Sequence, residues 1–119
     1  MRIEGTSFSV LGMGKSGLAT ANLLASMGAD VLLSDGRDTE ELRQRAEDRL
    51  DYRVRLVLGR EEVRPGDVVI LSPGIPPAAP AYRLAHRLGS EVMGDVELFY
   101  RLFPGRIVAV TGTDGKSTT

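Results

Sequence analysis

Hydrophobic and polar residues follow two patterns along this chain. Short apolar runs bounded by glycine, proline or aspartate predict β-strands, and they cover residues 8–11, 30–34, 53–58, 67–71 and 91–93. Apolar residues at three- and four-residue spacing predict helices, and these cover residues 18–27, 39–50, 80–88 and 94–103. Strands that alternate with helices favour an α/β fold, a Rossmann-like doubly wound and mostly parallel sheet of about five strands.

The helical spacing also predicts which side chains pack on the sheet. The first helix is expected to end at Gly28. The inward face of this helix consists of Leu18, Ala21, Leu24 and Ala25. In helix 80–88, Leu84 and Leu88 are expected to point inward, whereas His86 is interpreted as a surface residue. Helix 39–50 is strongly charged and begins at Thr39, a candidate N-cap.

A glycine-spaced loop follows the first predicted strand. Residues 12–17 read Gly-Met-Gly-Lys-Ser-Gly, the G-x-G-x-x-G spacing of a strand that turns into a helix. A helix that starts there presents unpaired N–H groups and its positive dipole end, to which Lys15 and Ser16 add a cation and a hydroxyl donor. The loop therefore predicts a nucleotide diphosphate site at Gly14, Lys15 and Ser16. A plain strand-to-helix turn is the alternative.

A carboxylate ends the second predicted strand. Asp35 lies eighteen residues after Gly17, close to where dinucleotide folds place the acidic residue that accepts hydrogen bonds from a ribose. Arg37, which follows Gly36, is always charged and suits stacking on a base or pairing with a phosphate. The alternative is a simple turn with a solvated arginine.

A third loop, with Ser72, Pro73 and Gly74, follows the fourth predicted strand. Proline stiffens this loop, and Gly74 allows close approach of a ligand. Because the carboxyl ends of parallel strands line one crevice, the loops 12–17, 35–37 and 72–74 are expected to meet there. A rigid turn without a ligand is again the alternative.

Composition narrows the function classes. The 119 residues, 42% of them hydrophobic, suit one domain of ordinary size. Fifteen basic and sixteen acidic residues give a net charge of −1, so no long-range field attracts nucleic acid or an anionic membrane. The absence of cysteine and the single histidine exclude disulfides and thiolate or histidine-rich metal sites. With no apolar run long enough for a membrane span and no signal-peptide pattern, we expect a cytoplasmic protein.

The last residues resemble a second phosphate loop. Predicted strand 106–110 leads into Gly115-Lys116-Ser117, in which the lysine suits terminal phosphates and the hydroxyl suits Mg²⁺. The usual first glycine of this motif is replaced by Val110. Because the helix that should follow is missing, the chain is expected to be the front of a longer protein, truncated inside its second nucleotide site.

Four motifs in order, at residues 12–17, 72–75, 94–99 and 112–118, resemble the N-terminal part of the Mur ligase family, and within it the branch that adds D-glutamate. The resemblance implies a Rossmann-like UDP-binding domain at residues 1–93. Residues 94–119 would then form a connecting helix and the truncated start of a central ATP-binding domain. The family usually has asparagine at Asp114 and often has threonine at Gly36, so both positions depart from its pattern.

The resemblance also implies roles for individual residues. Gly14, Lys15 and Ser16 would contact the pyrophosphate of the substrate. Asp35, Gly36 and Arg37 would contact its uridine, and the nucleotide-sugar side would meet Ser72, Pro73 and Gly74. ATP would be bound by Gly112, Thr113, Asp114, Gly115, Lys116, Ser117 and Thr118, with Ser117 also a ligand of Mg²⁺ in the full-length protein.

The implied reaction belongs to peptidoglycan synthesis. ATP phosphorylates the carboxylate of UDP-N-acetylmuramoyl-L-alanine to an acyl phosphate, and D-glutamate attacks it to form an amide. The chain alone is expected to be a monomer that binds UDP weakly, holds no cofactor tightly and has no ligase activity. Two alternatives stay open: a nicotinamide-dependent dehydrogenase domain, which does not account for the loop at Ser72 or the C-terminal motif, and a non-catalytic nucleotide-sensing domain, which does not account for the C-terminal motif.

Overall fold

The computed structural model describes residues 2–71 and 80–103. The strands are β1 (Ser7–Leu11), β2 (Asp30–Asp35), β3 (Arg55–Leu58), β4 (Val68–Leu71) and β5 (Val92–Gly94). The helices are α1 (Lys15–Ser26), α2 (Glu40–Arg49), α3 (Pro80–Arg87) and α4 (Asp95–Leu102). Each element predicted within these residues is present, with small shifts at its ends. None of the helices in this part of the chain is long and apolar enough to cross a membrane.

The five strands form one parallel sheet in the order β3-β2-β1-β4-β5. The chain builds outward from β1 to β2 and β3 on one side, and then to β4 and β5 on the other. This arrangement confirms the predicted α/β class. The order reverses between β1 and β4, where open α/β sheets bind ligands at the carboxyl ends of their strands.

Side chains of successive strand residues point to opposite faces of the sheet. Because these strands carry apolar residues on both faces, helices cover both of them. On one face, α1, α2 and α4 pack over a core that includes Phe8, Val10, Leu18, Ala21, Leu24, Ala25, Val31, Leu33, Leu42, Ile70, Met93 and Leu98. On the other face, α3 packs over a smaller core of Leu11, Val63, Val69, Ala81 and Ala85. The four residues predicted for the inward face of α1 are all buried, and Gly28 ends the helix with φ +91°.

The inward face predicted for α3 is partly wrong. Ala81 and Ala85 are the buried residues of this helix, Leu84 is half-buried, and Leu88 is 40% exposed. The reason is that α3 ends at Arg87, so Leu88 lies in the turn that leads to Gly89 and not on the packed face. His86 is exposed, as predicted.

A buried polar network fixes the amino-terminal edge of the sheet. The Ser9 hydroxyl donates to Asp67 Oδ2 at 2.8 Å and accepts from the Arg64 backbone amide at 3.1 Å. Arg64 Nε donates to the same Asp67 oxygen at 2.7 Å, and its Nη1 reaches Asp30 at 3.3 Å. These bonds fix the connection between β3 and β4 at the amino-terminal ends of the strands, opposite the glycine loop.

Candidate nucleotide-binding site

The glycine loop connects β1 to α1 in a conformation that requires glycine at its start. Gly12 has φ +98°, a value that side chains disfavour, and its amide donates to the Ser34 carbonyl at 2.8 Å. Gly14 is the N-cap of α1, and no atom of the described residues lies within 4 Å of the position that its Cβ would occupy. Gly17 is buried in the helix. The loop therefore holds β1 against β2 and leaves open space at Gly14.

The first turn of α1 is arranged to favour an anion. Gly14 gives the helix no side-chain cap, and the turn contains no acidic residue. Lys15 is exposed and makes no ion pair with the described residues. Unpaired amides and the helix dipole make such a terminus attractive to phosphate.

The carboxylate of Asp35 joins two of the predicted site loops. Its Oδ2 accepts from the Met13 amide at 2.8 Å and from Arg37 Nη2 at 2.9 Å. Its Oδ1 accepts from the Arg37 amide at 2.8 Å and from Arg37 Nε at 3.1 Å. A carboxylate has about four acceptor positions, so these contacts fill them.

The ionisation of Asp35 follows from these contacts. Burial of the carboxyl favours the neutral form and by itself raises the pKa. Hydrogen bonds from the Arg37 side chain and from the Met13 and Arg37 amides outweigh the burial, and they lower the pKa of Asp35 to about 2. The group is therefore a carboxylate at neutral pH. Arg37 itself is 65% exposed, so only one side of the pair is enclosed.

The loop after β2 is anchored on its other side by the residues that follow β3. The Gly59 amide donates to the carbonyls of Asp35 at 3.0 Å and Arg37 at 3.2 Å. A Cβ added at Gly36 would meet only Glu61 Cγ, at the ordinary contact distance of 3.9 Å. Asp35, Gly36 and Arg37 thus lie beside the glycine loop, as the sequence predicted, and the middle position has room for a Cβ.

Two side chains at this edge were not predicted from the sequence. Arg45 lies on α2, which the sequence indicated only as a strongly charged helix, and it donates from Nη1 to the Met13 carbonyl at 3.1 Å. Asp95, at the start of α4, accepts a hydrogen bond from the Ser16 hydroxyl. Asp95 follows β5 directly. Its position at the carboxyl end of a parallel strand could have indicated that it lies at this edge of the sheet.

A groove of about 640 Å³ lies between α1 and α2, next to the glycine loop. Lys15 and Arg45 contribute to its lining, together with Glu41 and Asp48. Charges of both signs line this groove, and Leu18 and Ala19 are its apolar lining residues. The lining therefore favours an anion less clearly than the first turn of α1, which contains no acidic residue.

The remaining predicted site residues lie outside the described residues. They are Ser72, Pro73, Gly74, Gly112, Thr113, Asp114, Gly115, Lys116, Ser117 and Thr118. The third loop of the crevice and the second phosphate loop therefore stay predictions from sequence. The predicted strand 106–110 has the same status.

Sequence comparison decides the family. The family model of the Mur ligase MurD-like N-terminal domain matches residues 6–94. This chain belongs to that family. The MurD-like match begins just before β1 and ends at the last residue of β5, so it covers the whole parallel sheet.

Curated MurD-like relatives align with 94–100% of this chain. The UDP-N-acetylmuramoylalanine–D-glutamate ligase of Thermobifida fusca is 42% identical, over 100% of this chain and 26% of the relative. The ligase of the same name from Aquifex aeolicus is 40% identical, over 94% of this chain and 23% of the relative. That of Koribacter versatilis is 36% identical, over 100% and 27%. The chain thus spans about a quarter of the length of these relatives.

Proposed function

We propose that this chain is the N-terminal, UDP-substrate-binding part of an ATP-dependent ligase that adds D-glutamate to UDP-N-acetylmuramoyl-L-alanine in peptidoglycan synthesis. The observation that carries the proposal is the first turn of α1, which has no side-chain cap and no acidic residue and therefore favours an anion. This turn lies at the carboxyl end of β1, beside the point where the strand order reverses. Family membership and the names of the relatives support the choice of UDP substrate and amino acid.

The pyrophosphate is assigned to the first turn of α1. The open space at Gly14 gives a phosphate oxygen access to the backbone, and the helix dipole supplies positive potential there. Lys15 adds an exposed cation, and the Ser16 hydroxyl adds a donor. These groups suit two linked phosphates better than a neutral ligand, because each contributes positive charge or a proton.

The uridine is assigned to Asp35, Gly36 and Arg37. The acceptor positions of Asp35 are filled in this structure, so a base N–H or a ribose hydroxyl has to replace a contact of the Arg37 guanidinium. Arg37 is largely exposed and can leave at modest cost, after which its planar guanidinium is free to stack on the base. The bond between Asp35 and the Met13 amide stays in place during this exchange.

The chemical step is assigned to the full-length protein. ATP and Mg²⁺ supply phosphorylation of the substrate carboxylate to an acyl phosphate, and the amine of D-glutamate then attacks the acyl carbon and expels phosphate. In this chain, the predicted ATP and Mg²⁺ residues lie in 112–118, and residues 94–119 are assigned to the junction between domain 1–93 and the ATP-binding domain. The chain alone is predicted to have no ligase activity.

Isothermal titration of the 119-residue chain with UDP, UDP-N-acetylmuramoyl-L-alanine, NADH and ATP tests the proposal. Both uridine ligands should bind, and NADH should not. Lys15→Ala should weaken UDP binding by about three- to tenfold while leaving uridine binding unchanged, because only the diphosphate senses the lost charge. Arg83→Ala, an exposed charge deletion on α3, is the matched control. NADH binding without uridine binding would reject the assignment in favour of a nicotinamide-dependent domain.

A further inference from the structure

Ser16 and Asp95 join two helix N-termini that are far apart in sequence. Ser16 lies in the first turn of α1, Asp95 is the first residue of α4, and the Ser16 hydroxyl donates to Asp95 Oδ2 across 79 positions. The other oxygen of Asp95 accepts from the Val96 amide at 2.8 Å. Asp95 is half-buried, so its charge is only partly screened by water.

This contact places the carboxylate of Asp95 beside the first turn of α1, the proposed site of the diphosphate. The first turn of α1 has no acidic residue of its own, and Asp95 supplies a negative charge there from the neighbouring helix. A serine hydroxyl has a single proton to donate. While Asp95 accepts that proton, Ser16 cannot donate to a phosphate, and an arriving phosphate faces a like charge.

We propose that Asp95 competes with the diphosphate for the Ser16 hydroxyl. In the free protein Asp95 accepts the hydrogen bond from Ser16, and it loses this bond when the ligand binds. The inference rests on the proposed function of the glycine loop and adds a residue that sets the affinity of that site. In the ligand complex, the Ser16 hydroxyl turns to a phosphate oxygen, and Asp95 keeps the Val96 amide as its partner.

Substitution of Asp95 tests the competitor role. Asp95→Asn keeps the shape of the side chain and removes its charge, and it should tighten UDP binding about three- to tenfold at low salt. Binding of uridine, which has no phosphate, should not change. Glu97→Gln is the matched control: it removes the same charge from the same helical turn, and Glu97 pairs with Arg101 rather than Ser16. The control should leave UDP binding unchanged.

The readouts separate the competitor role from a structural one and from failure of the proposed function. Circular dichroism and thermal unfolding establish that each variant is folded, and Asp95→Ser, which also removes the charge, replaces Asp95→Asn if that variant is unfolded. UDP binding that is unchanged or weaker in the folded variant, or an equal gain for uridine, overturns the competitor role alone. If the wild type and the variant are both folded and neither binds UDP, the proposed function is rejected, and the competitor role is rejected with it.

Discussion

Asp35 accepts a hydrogen bond from the backbone amide of Met13, at 2.8 Å, across the carboxyl ends of β1 and β2. The same carboxylate is held by Arg37, so that one buried charge fixes both the glycine loop and the turn after β2. Dinucleotide folds use an acidic residue near this position to bind a ribose. In this chain the carboxylate has a structural role before any ligand arrives.

The first prediction concerns the stability of this link. Asp35→Asn removes the charge and turns one acceptor oxygen into a donor, so the Met13 amide or the Arg37 guanidinium loses its partner. We expect a loss of about 1–3 kcal/mol in the free energy of unfolding, measured by urea titration. Asp38→Asn is the control, because the exposed Asp38–Arg43 ion pair is solvated and should contribute little. Equal stability of the two variants would contradict the structural role.

The second prediction is a pH dependence. The pKa of Asp35 is lowered from its ordinary value of 3.8 to about 2 in the folded protein. Its ionisation therefore stabilises the fold above about pH 4, and this stabilisation is lost as the pH falls toward 2. One pKa unit corresponds to about 1.4 kcal/mol, and the exposed Arg37 weakens the effect through solvent screening, so we expect about 1–2 kcal/mol.

Comparison of wild type with Asp35→Asn isolates this contribution. The difference in unfolding free energy should be largest between about pH 5 and 7 and should shrink toward pH 2. Asp51, whose pKa is also lowered to about 2 by Arg53, is present in both proteins and cancels in the difference. A difference that stays constant over the whole range would show that Asp35 is not the group that titrates.

The fold was predictable because hydrophobic periodicity is local. The apolar runs at β1 and β4 and the spacing of Leu18, Ala21 and Leu24 determine element type and inward face without knowledge of neighbours. The error at Leu88 arose because the end of α3, and not its periodicity, decides where that side chain lies. A helix end depends on turn geometry, which apolar spacing does not report.

The candidate site was predictable only in part. Glycine spacing and the position of Asp35 after a strand indicated that the loops after β1 and β2 meet, since parallel strands end at one edge. The partners of these residues were not predictable, because the contacts of Met13 with Arg45 and of Ser16 with Asp95 join residues 32 and 79 positions apart. No local pattern encodes such pairings, and they follow from the packing of α2 and α4.

The third prediction concerns the network at the opposite edge of the sheet. Ser9→Ala leaves the buried Asp67 carboxylate without one donor and the Arg64 amide without its acceptor. We expect a loss of about 1–3 kcal/mol in unfolding free energy, because buried polar groups are costly to leave unpaired. Ser26→Ala, which deletes an exposed hydroxyl from α1, should have a much smaller effect.

Binding measurements add a second check on Ser9→Ala. The network lies at the amino-terminal edge, away from the glycine loop, so the folded variant should keep the UDP affinity of the wild type. A large loss of UDP binding in the folded protein would contradict the assignment of the site to the carboxyl-terminal edge.

The fourth prediction compares two glycines that differ in backbone conformation and in space. Gly36 lies outside the left-handed region, and an added Cβ meets only Glu61 Cγ at 3.9 Å. Gly36→Ala should therefore raise stability by about 0.4–1 kcal/mol, because alanine has fewer conformations to lose on folding. Gly28 has φ +91°, and its Cβ would lie 3.0 Å from Glu4 Cγ. Gly28→Ala should lower stability by about 1–2 kcal/mol.

The opposite signs make this pair informative, since both substitutions add the same methyl group at an exposed turn. Thermal unfolding of the two variants beside the wild type measures the difference directly. A loss of stability in Gly36→Ala would mean that the turn after β2 needs a backbone conformation available only to glycine, and the placement of Asp35 and Arg37 on either side of it would have to be revised.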